Sequence, residues 1–403
     1  MRKKISVRDL RPGMFIEELC GSWMDHPFWR SAFLLTDADD LKSLRECGIQ
    51  EVWIDNARGL DVEQAVATAS ETAEQQKVES TLAAAARGDG PSASRVSFEA
   101  ELSRARQIQT QARQAVTSMF QEARMGRAIP AGEAAALVDE ISGSVLRNPS
   151  ALLSIVRLKN KDDYTYLHSV AVCALMVALG RQMGLEGEAL RSAGGAGLLH
   201  DVGKMAIADE VLNKPGRLTD GEFDLIKTHP VRGWEILQAS GIGDATVLDV
   251  CRHHHERVDG SGYPDRIQGE PLTLFARMGA VCDVYDAVTS DRAYKKGWEP
   301  AEAIRKMAEW QGHFDERVFQ MFVKIVGIYP TGTLVRLASG RLGVVTDQNR
   351  SNLLMPVVKV FYSARHKESV RLERLDLSQS DDSIEGMEDP AHWGFDLKKV
   401  IEL

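Results

Sequence analysis

Cysteine is scarce and scattered. The five thiols, Cys20, Cys47, Cys173, Cys251 and Cys282, are odd in number, widely spaced and form no Cys-x-x-Cys pair. That argues against a disulfide framework and a thiolate-held structural zinc, and it suits a reducing compartment. Long basic runs are missing as well. With 49 Lys and Arg against 58 Asp and Glu, the formal net charge is −9. A nucleic-acid polymer is therefore not an expected partner, although a local group of cations can still hold a small anion. No apolar stretch reaches the ~20 residues of a membrane-spanning helix; the longest, SVAVCALMVALG, stops far short. The basic start MRKKISVRDL has no apolar segment behind it, so no signal peptide is expected. These absences together predict a soluble, cytoplasmic protein with no membrane contact.

What is present is enough for a sizeable core: 403 residues, 44% of them apolar. That length exceeds one compact domain and predicts two or three. Over 1–70, β-like runs (GMFIEEL, EVWIDN) flank a helical DADDLKSLRECG, the texture of a small α+β domain. Residues 71–97, Ala-rich and then crowded with Gly, Pro and Ser in AAAARGDGPSASR, read as a flexible linker. From 98 to 328 the pattern is helical throughout, with a lead-in to about 145. The charged stretch 98–126 leaves homodimerisation open, though it carries no sustained heptad. Over 329–403 the residues alternate apolar and polar around Gly340, a β-rich tail. The expected fold class is multidomain and mainly α: an all-α domain preceded by a small α+β unit and followed by short strands.

Six of the ten histidines fall between 168 and 255: His168, His200, His229, His253, His254 and His255. His200 and Asp201 interrupt GAGLLHDVGKMAI, and Asp283 interrupts MGAVCDVYDAV. Burying an unpaired carboxylate in such runs costs several kcal/mol. A bound dication removes that cost, and mixed imidazole and carboxylate donors suit Fe, Mn or Zn better than Ca or Mg. Helical phase separates the three adjacent histidines. With Val247 at zero and about 100° per residue, His254 falls near −20° and His255 near 80°, bracketing the apolar face, while His253 falls near 240°, facing water. Asp283 shares its face with Gly279, Ala280, Asp286 and Ala287. His313, His366, His392 and His26 read as ordinary core or surface histidines.

The series DDYTYLHSVAV, LLHDVGKMAI, LNKPGRLTDGEFDLIKTHPVRG, HHERVDGSGYP, AVCDVYDAVTSDRAYKK and GIYPTGTLVRL resembles the HD-GYP family, a bacterial branch of the HD-domain metal-dependent phosphohydrolases. The resemblance covers about 140 to 340; the front of the chain looks more loosely like an accessory domain often attached to such proteins. It implies an HD-type helical catalytic domain that hydrolyses cyclic di-GMP to pGpG and on to GMP. Carried over by position, the implied ligands are His168, His200, Asp201, His229, His254, His255 and Asp283, with Asp201 bridging two metals, usually iron or manganese. Some relatives place a glutamate four residues before the first histidine and bind a third ion. Tyr164 stands there, so two metals are implied, with Asp162 or Asp163 leaving a third open.

The resemblance implies a hydroxide held between the metals as nucleophile, with Lys204 offsetting charge on the phosphate. Asp286 would orient Lys204 or a ligand. Arg292 and Lys295 would contact the substrate's phosphates or guanines, with Lys296 at the surface. Tyr263 lies in the DGSGYP loop, whose glycines and Pro264 turn the chain. In the family that loop also shapes the substrate entrance and docks GGDEF-type diguanylate cyclase domains. Two rivals stand beside hydrolysis of cyclic di-GMP: a receptor that binds it without turnover, and a phosphohydrolase of another nucleotide, such as a hybrid cyclic dinucleotide.

Overall fold

The computed structural model describes residues 2–20, 32–47, 49–62, 71–86, 96–157, 164–214, 216, 218–290, 297–349, 352–395, 397 and 400. Strands β1 (Arg2–Ser6), β2 (Phe15–Leu19), β3 (Phe33–Leu34) and β4 (Glu51–Asp55) form an antiparallel sheet in the order β1-β4-β2-β3, with helix α1 (Ala38–Glu46) against it. Ile5, Ile16, Val52 and Ile54 from the strands and Leu44 from α1 make its small core. The side chain of Asp37 caps α1 by accepting from the Asp39 N–H.

The next element corrects the sequence reading. Within the expected linker 71–97, Glu71–Ala86 is a helix, α2. Its Val78, Leu82, Ala85 and Ala86 recur on one face and are buried in the main helical core. Alanine made this face hard to see, because an Ala-rich stripe looks like a solvated tether until a partner covers it.

The helical body continues with α3 (Phe98–Arg124), α4 (Ala131–Arg147), α5 (Pro149–Arg157), α6 (Tyr164–Gln182), α7 (Gly187–Leu199), α8 (Asp209–Leu212), α9 (Asp220–Ile226), α10 (His229–Ala239), α11 (Ala245–His253), α12 (Leu274–Thr289), α13 (Pro300–Glu309) and α14 (Glu316–Val326). Helix α3 spends its apolar stripe internally: Ala105, Ala112, Val116, Met119 and Phe120 are buried in the common core. That stripe is therefore not a dimer surface. Among the described residues no helix is long and apolar enough to cross a membrane. Helix α6, which carries the longest apolar run, is buried from Leu167 to Gly180.

Glycine sets the spacing that brings the helices of the site together. A Cβ on Gly197 of α7 would lie 2.8 Å from the Val172 carbonyl oxygen and 2.9 Å from Cys173 Cα on α6. A Cβ on Gly279 of α12 would lie 2.8 Å from Val250 on α11. Without side chains at these crossings, α6, α7, α11 and α12 approach closely enough for short imidazole and carboxylate groups to meet.

After α14 the chain turns at Gly327 into a second antiparallel sheet, ordered β8-β7-β6-β5-β9. Its strands are β5 (Leu334–Leu337), β6 (Arg341–Asp347), β7 (Val357–Ser363), β8 (Glu368–Asp376) and β9 (Ile384–Met387), followed by a short α15 (Pro390–Trp393). The mainly helical architecture with strands at both ends is the one expected.

Candidate metal centre

Four histidines have one ring nitrogen committed to an acceptor. His200 Nδ1 lies 2.9 Å from the Gly197 carbonyl, His229 Nδ1 2.8 Å from that of Ile226, and His254 Nδ1 3.0 Å from that of Val250. His168 Nδ1 lies 2.6 Å from Asp286 Oδ2. Carbonyl and carboxylate oxygens only accept, so each Nδ1 carries a proton, and in the neutral ring each Nε2 presents a lone pair. All four Nε2 atoms then point at one another or at carboxylates. His168 Nε2 is 2.9 Å from Asp283 Oδ1 and 3.5 Å from Asp201 Oδ2. His200 Nε2 is 3.4 Å from Asp201 Oδ2 and 3.6 Å from Asp283 Oδ1. His229 Nε2 is 3.3 Å from Asp201 Oδ1 and 3.2 Å from His254 Nε2.

Acceptors facing acceptors in a buried space repel unless something positive lies between them. His200 Nε2, Asp201 Oδ1 and both Asp283 carboxylate oxygens are buried without a hydrogen-bond partner. This is what a cation site looks like from the protein's side, and the donors are nitrogen and oxygen throughout. The nearby thiols stand outside it. Burial pushes Cys251 and Cys282 up, which keeps them neutral, and Cys251 Sγ faces the His200 carbonyl instead.

Lys204 and a proton on His200 supply part of that positive charge. Burial alone would raise both carboxyls, yet Lys204 and His200 hold Asp201 well below the usual carboxylate range, and His168 and His200 do the same for Asp283. Burial opposes a charge on His200, but the two carboxylates bring it up to about 10. Burial followed by the neighbouring His200 and His229 brings His254 down to about 3, and burial also depresses His229 and His255.

Three groups of three ligand atoms converge within 4.8 Å: His168, His200 and Asp283; His229, His254 and His255; and His200, Asp201 and His254. The first two share no residue. Asp201 stands between them, with Oδ2 toward His168 and His200 and Oδ1 toward His229 and His254. His229 is placed by a third glycine contact: a Cβ on Gly203, in the short 3-10 helix Val202–Ala206, would lie 1.9 Å from the His229 carbonyl oxygen.

Lys204 also leaves this 3-10 helix to pair with Asp201 Oδ2, with 13% of its side chain exposed. Asp286 orients His168 rather than Lys204. His255 lies inward with His229 and His254, the side expected of it, but a turn and not the helix puts it there. Helix α11 ends at His253 and His254 caps it in helical geometry, so a helical phase no longer applies at His255. The turn that follows brings the His255 ring within 4.2 Å of His254, and Tyr263 stacks on it at 4.7 Å. Gly262 permits that return, since a Cβ there would lie 2.5 Å from the backbone of Glu256 and Arg257. Tyr164 lies at the start of α6. His26, Asp162, Asp163, Arg292, Lys295 and Lys296 lie outside the described residues.

His253 turns away from the cluster, and it is not simply wet. Its Nδ1 lies 2.8 Å from Asp249 and its Nε2 3.0 Å from Asp265, which Arg252 also grips. The buried carboxylate of Glu256 accepts the backbone N–H groups of Asp265, Arg266 and Ile267. The sequence reading missed Glu256 and Asp265 as organisers of this loop, because their partners are backbone groups and side chains met only on folding. His253→Ala is expected to leave metal content unchanged and most turnover intact, and to lower stability by about 1 kcal/mol. Elemental analysis with denaturant titration checks this; metal loss in His253→Ala but not in His254→Ala would reverse the assignment.

An HD domain model matches residues 151–318, the stretch that holds all seven clustered histidines and aspartates, and a domain of unknown function (DUF3391) matches 2–134. A cyclic di-GMP phosphodiesterase of Pseudomonas aeruginosa is 55% identical over 98% of this chain and 94% of its own length. A cyclic di-GMP phosphodiesterase response regulator of Xanthomonas campestris pv. campestris is 38% identical over 45% of this chain and 48% of its own. A 3'3'-cGAMP-specific phosphodiesterase of Vibrio cholerae is 34% identical over 41% of this chain and 38% of its own. With the HD domain seated on the histidine and aspartate cluster and that identity along nearly the whole chain, this protein belongs to the HD-GYP family of cyclic di-GMP phosphodiesterases, in the HD-domain metal-dependent phosphohydrolase superfamily.

Proposed function

We propose that the chain hydrolyses cyclic di-GMP to pGpG, and pGpG more slowly to GMP, at two divalent cations. One cation would be held by His168, His200, Asp201 and Asp283, the other by Asp201, His229, His254 and His255. The observation that carries this reading is Asp201, whose two oxygens face two separate ligand groups. The donor set favours iron or manganese. Such ions supply Lewis acidity toward a phosphate oxygen and lower the pKa of a water.

The chain's own residues do the rest. Asp286 keeps the His168 proton on Nδ1, so that Nε2 stays a donor to a cation. Lys204, the partly exposed cation at the rim, offsets charge building on the phosphate. Arg292 and Lys295 are suited to the substrate's phosphates or guanine edges. Tyr263, stacked on His255, gives the Gly-Tyr-Pro loop its place beside the centre, where it can contact substrate or dock a GGDEF-type diguanylate cyclase domain. A cytoplasmic second-messenger substrate fits these roles.

The test is incubation of purified protein with Mn(II), or with Fe(II) under anaerobic conditions, and chromatography of the nucleotides. Cyclic di-GMP should disappear into pGpG first and GMP later, and faster than 3'3'-cGAMP does. Tight binding without turnover would establish the receptor instead. Lys204→Gln should lower kcat by roughly a hundredfold while both metals remain bound; an unchanged kcat would remove Lys204 from the chemistry.

A further inference from the structure

Lys4 is among the largest fully buried side chains of the described residues, and it sits in the N-terminal sheet. Its ammonium lies 2.8 Å from Glu51 of β4, 3.1 Å from Glu74 of α2, and 3.1 Å from the carbonyl of Glu309, the last residue of α13. One cation thus gathers three elements, one of them in the catalytic body. A second link lies one turn earlier on α13. Lys306 pairs with Glu18 of β2, which Arg2 also holds at 2.6 Å. The Lys306 ammonium also sits 5.0 Å from the Trp298 ring. Trp298 is tied to the end of α12 by its backbone N–H, which donates to the Val288 carbonyl at 2.8 Å. Helix α2 fills the space behind, with Leu82 and Val78 buried in the same core as Ile304 and Met307 of α13.

We propose that the N-terminal unit is an intramolecular brace: Lys4 and Glu18 clamp α13, and through α13 and Trp298 they hold α12, the helix of Asp283 and Asp286. A buried lysine with three oxygen partners tolerates little displacement, because any partner left behind is a desolvated acceptor. The joint therefore reads as closed or open, with few intermediate settings. It gives the N-terminal unit a way to act on the centre without touching it. Whatever displaces the sheet from α13 loosens the helix that presents Asp283. The coupling to metal rests on the two-cation reading; the clamp itself does not.

The full-length protein provides the test, by hydrogen exchange and by Mn(II) titration calorimetry. Glu18→Gln and Lys306→Gln should each speed exchange over residues 300–309 by roughly fivefold, the upper end for a partly exposed ion pair. The double variant should be slower than the product of the two single effects, since the shared pair is removed only once. Lys4→Met, which strands Glu51 and Glu74, should speed exchange in both α13 and α12 by on the order of a hundredfold and weaken Mn(II) binding. Unchanged exchange in the Glu18 and Lys306 variants, or strictly additive effects, would overturn the clamp even if Lys4→Met failed to fold. Loosened helices with unaltered Mn(II) affinity would overturn the coupling to the centre. Neither readout depends on which nucleotide is cleaved.

Discussion

Asp283→Asn is expected to remove the stabilisation that metal gives the protein and to leave it inactive. Both oxygens of Asp283 are buried without a hydrogen-bond partner, and His168 Nε2 lies 2.9 Å from one of them. His168 and His200 hold this carboxylate in its charged form, so an asparagine brings the metal-free protein no gain. With metal the wild-type protein gains the binding free energy, and the variant, which lacks a ligand, does not. Thermal melts with chelator and with saturating Mn(II) should therefore separate: Mn(II) raises the melting temperature of the wild-type protein well beyond that of the variant. An equal rise in both proteins would show that Asp283 is an ordinary structural carboxylate.

Gly203→Ala carries the largest expected loss of stability. Its Cβ would lie 1.9 Å from the His229 carbonyl, 2.4 Å from the Gly233 nitrogen and 2.9 Å from Gly233 Cα. Every one of these atoms is backbone, so no side-chain rotation relieves the clash. The short helix of Lys204 must move away from the start of α10, at a cost of about 3 kcal/mol or more. The movement separates Asp201 from His229, so metal content should fall along with stability. Denaturant titration and elemental analysis check both. Gly221→Ala, where an added Cβ meets nothing within 4 Å, is the control. A Gly203→Ala protein of wild-type stability would mean that this crossing is not as close as the structure places it.

Much of the site was legible along the chain because burying charge is costly. His200, Asp201 and Asp283 announce themselves by interrupting apolar runs, and the structure brings them into one cluster with His168, His229, His254 and His255. Helical phase turned His254 inward and His253 outward, which is how they lie, because α11 remains regular to its last turn. It also turned His255 inward, where it lies, although the position of a residue past a helix end depends on a turn. That turn is built by Gly262 against Glu256, and by backbone N–H groups folding onto the Glu256 carboxylate. The helix α2 escaped notice because alanine declares a buried face only when a neighbour covers it.

By itself, then, the order of residues determined the mainly helical class, the chemistry of the donors and the side of α11 that faces inward. Each of these follows from period and polarity, which are local properties of the chain. Only the tertiary structure decided which oxygen of Asp201 faces which histidines, that Asp286 serves His168 rather than Lys204, and that Lys4 locks the N-terminal sheet to α13. Those outcomes depend on groups tens to hundreds of residues apart meeting at distances of about 3 Å. Glycine contacts between helices set such distances, and no local pattern encodes them.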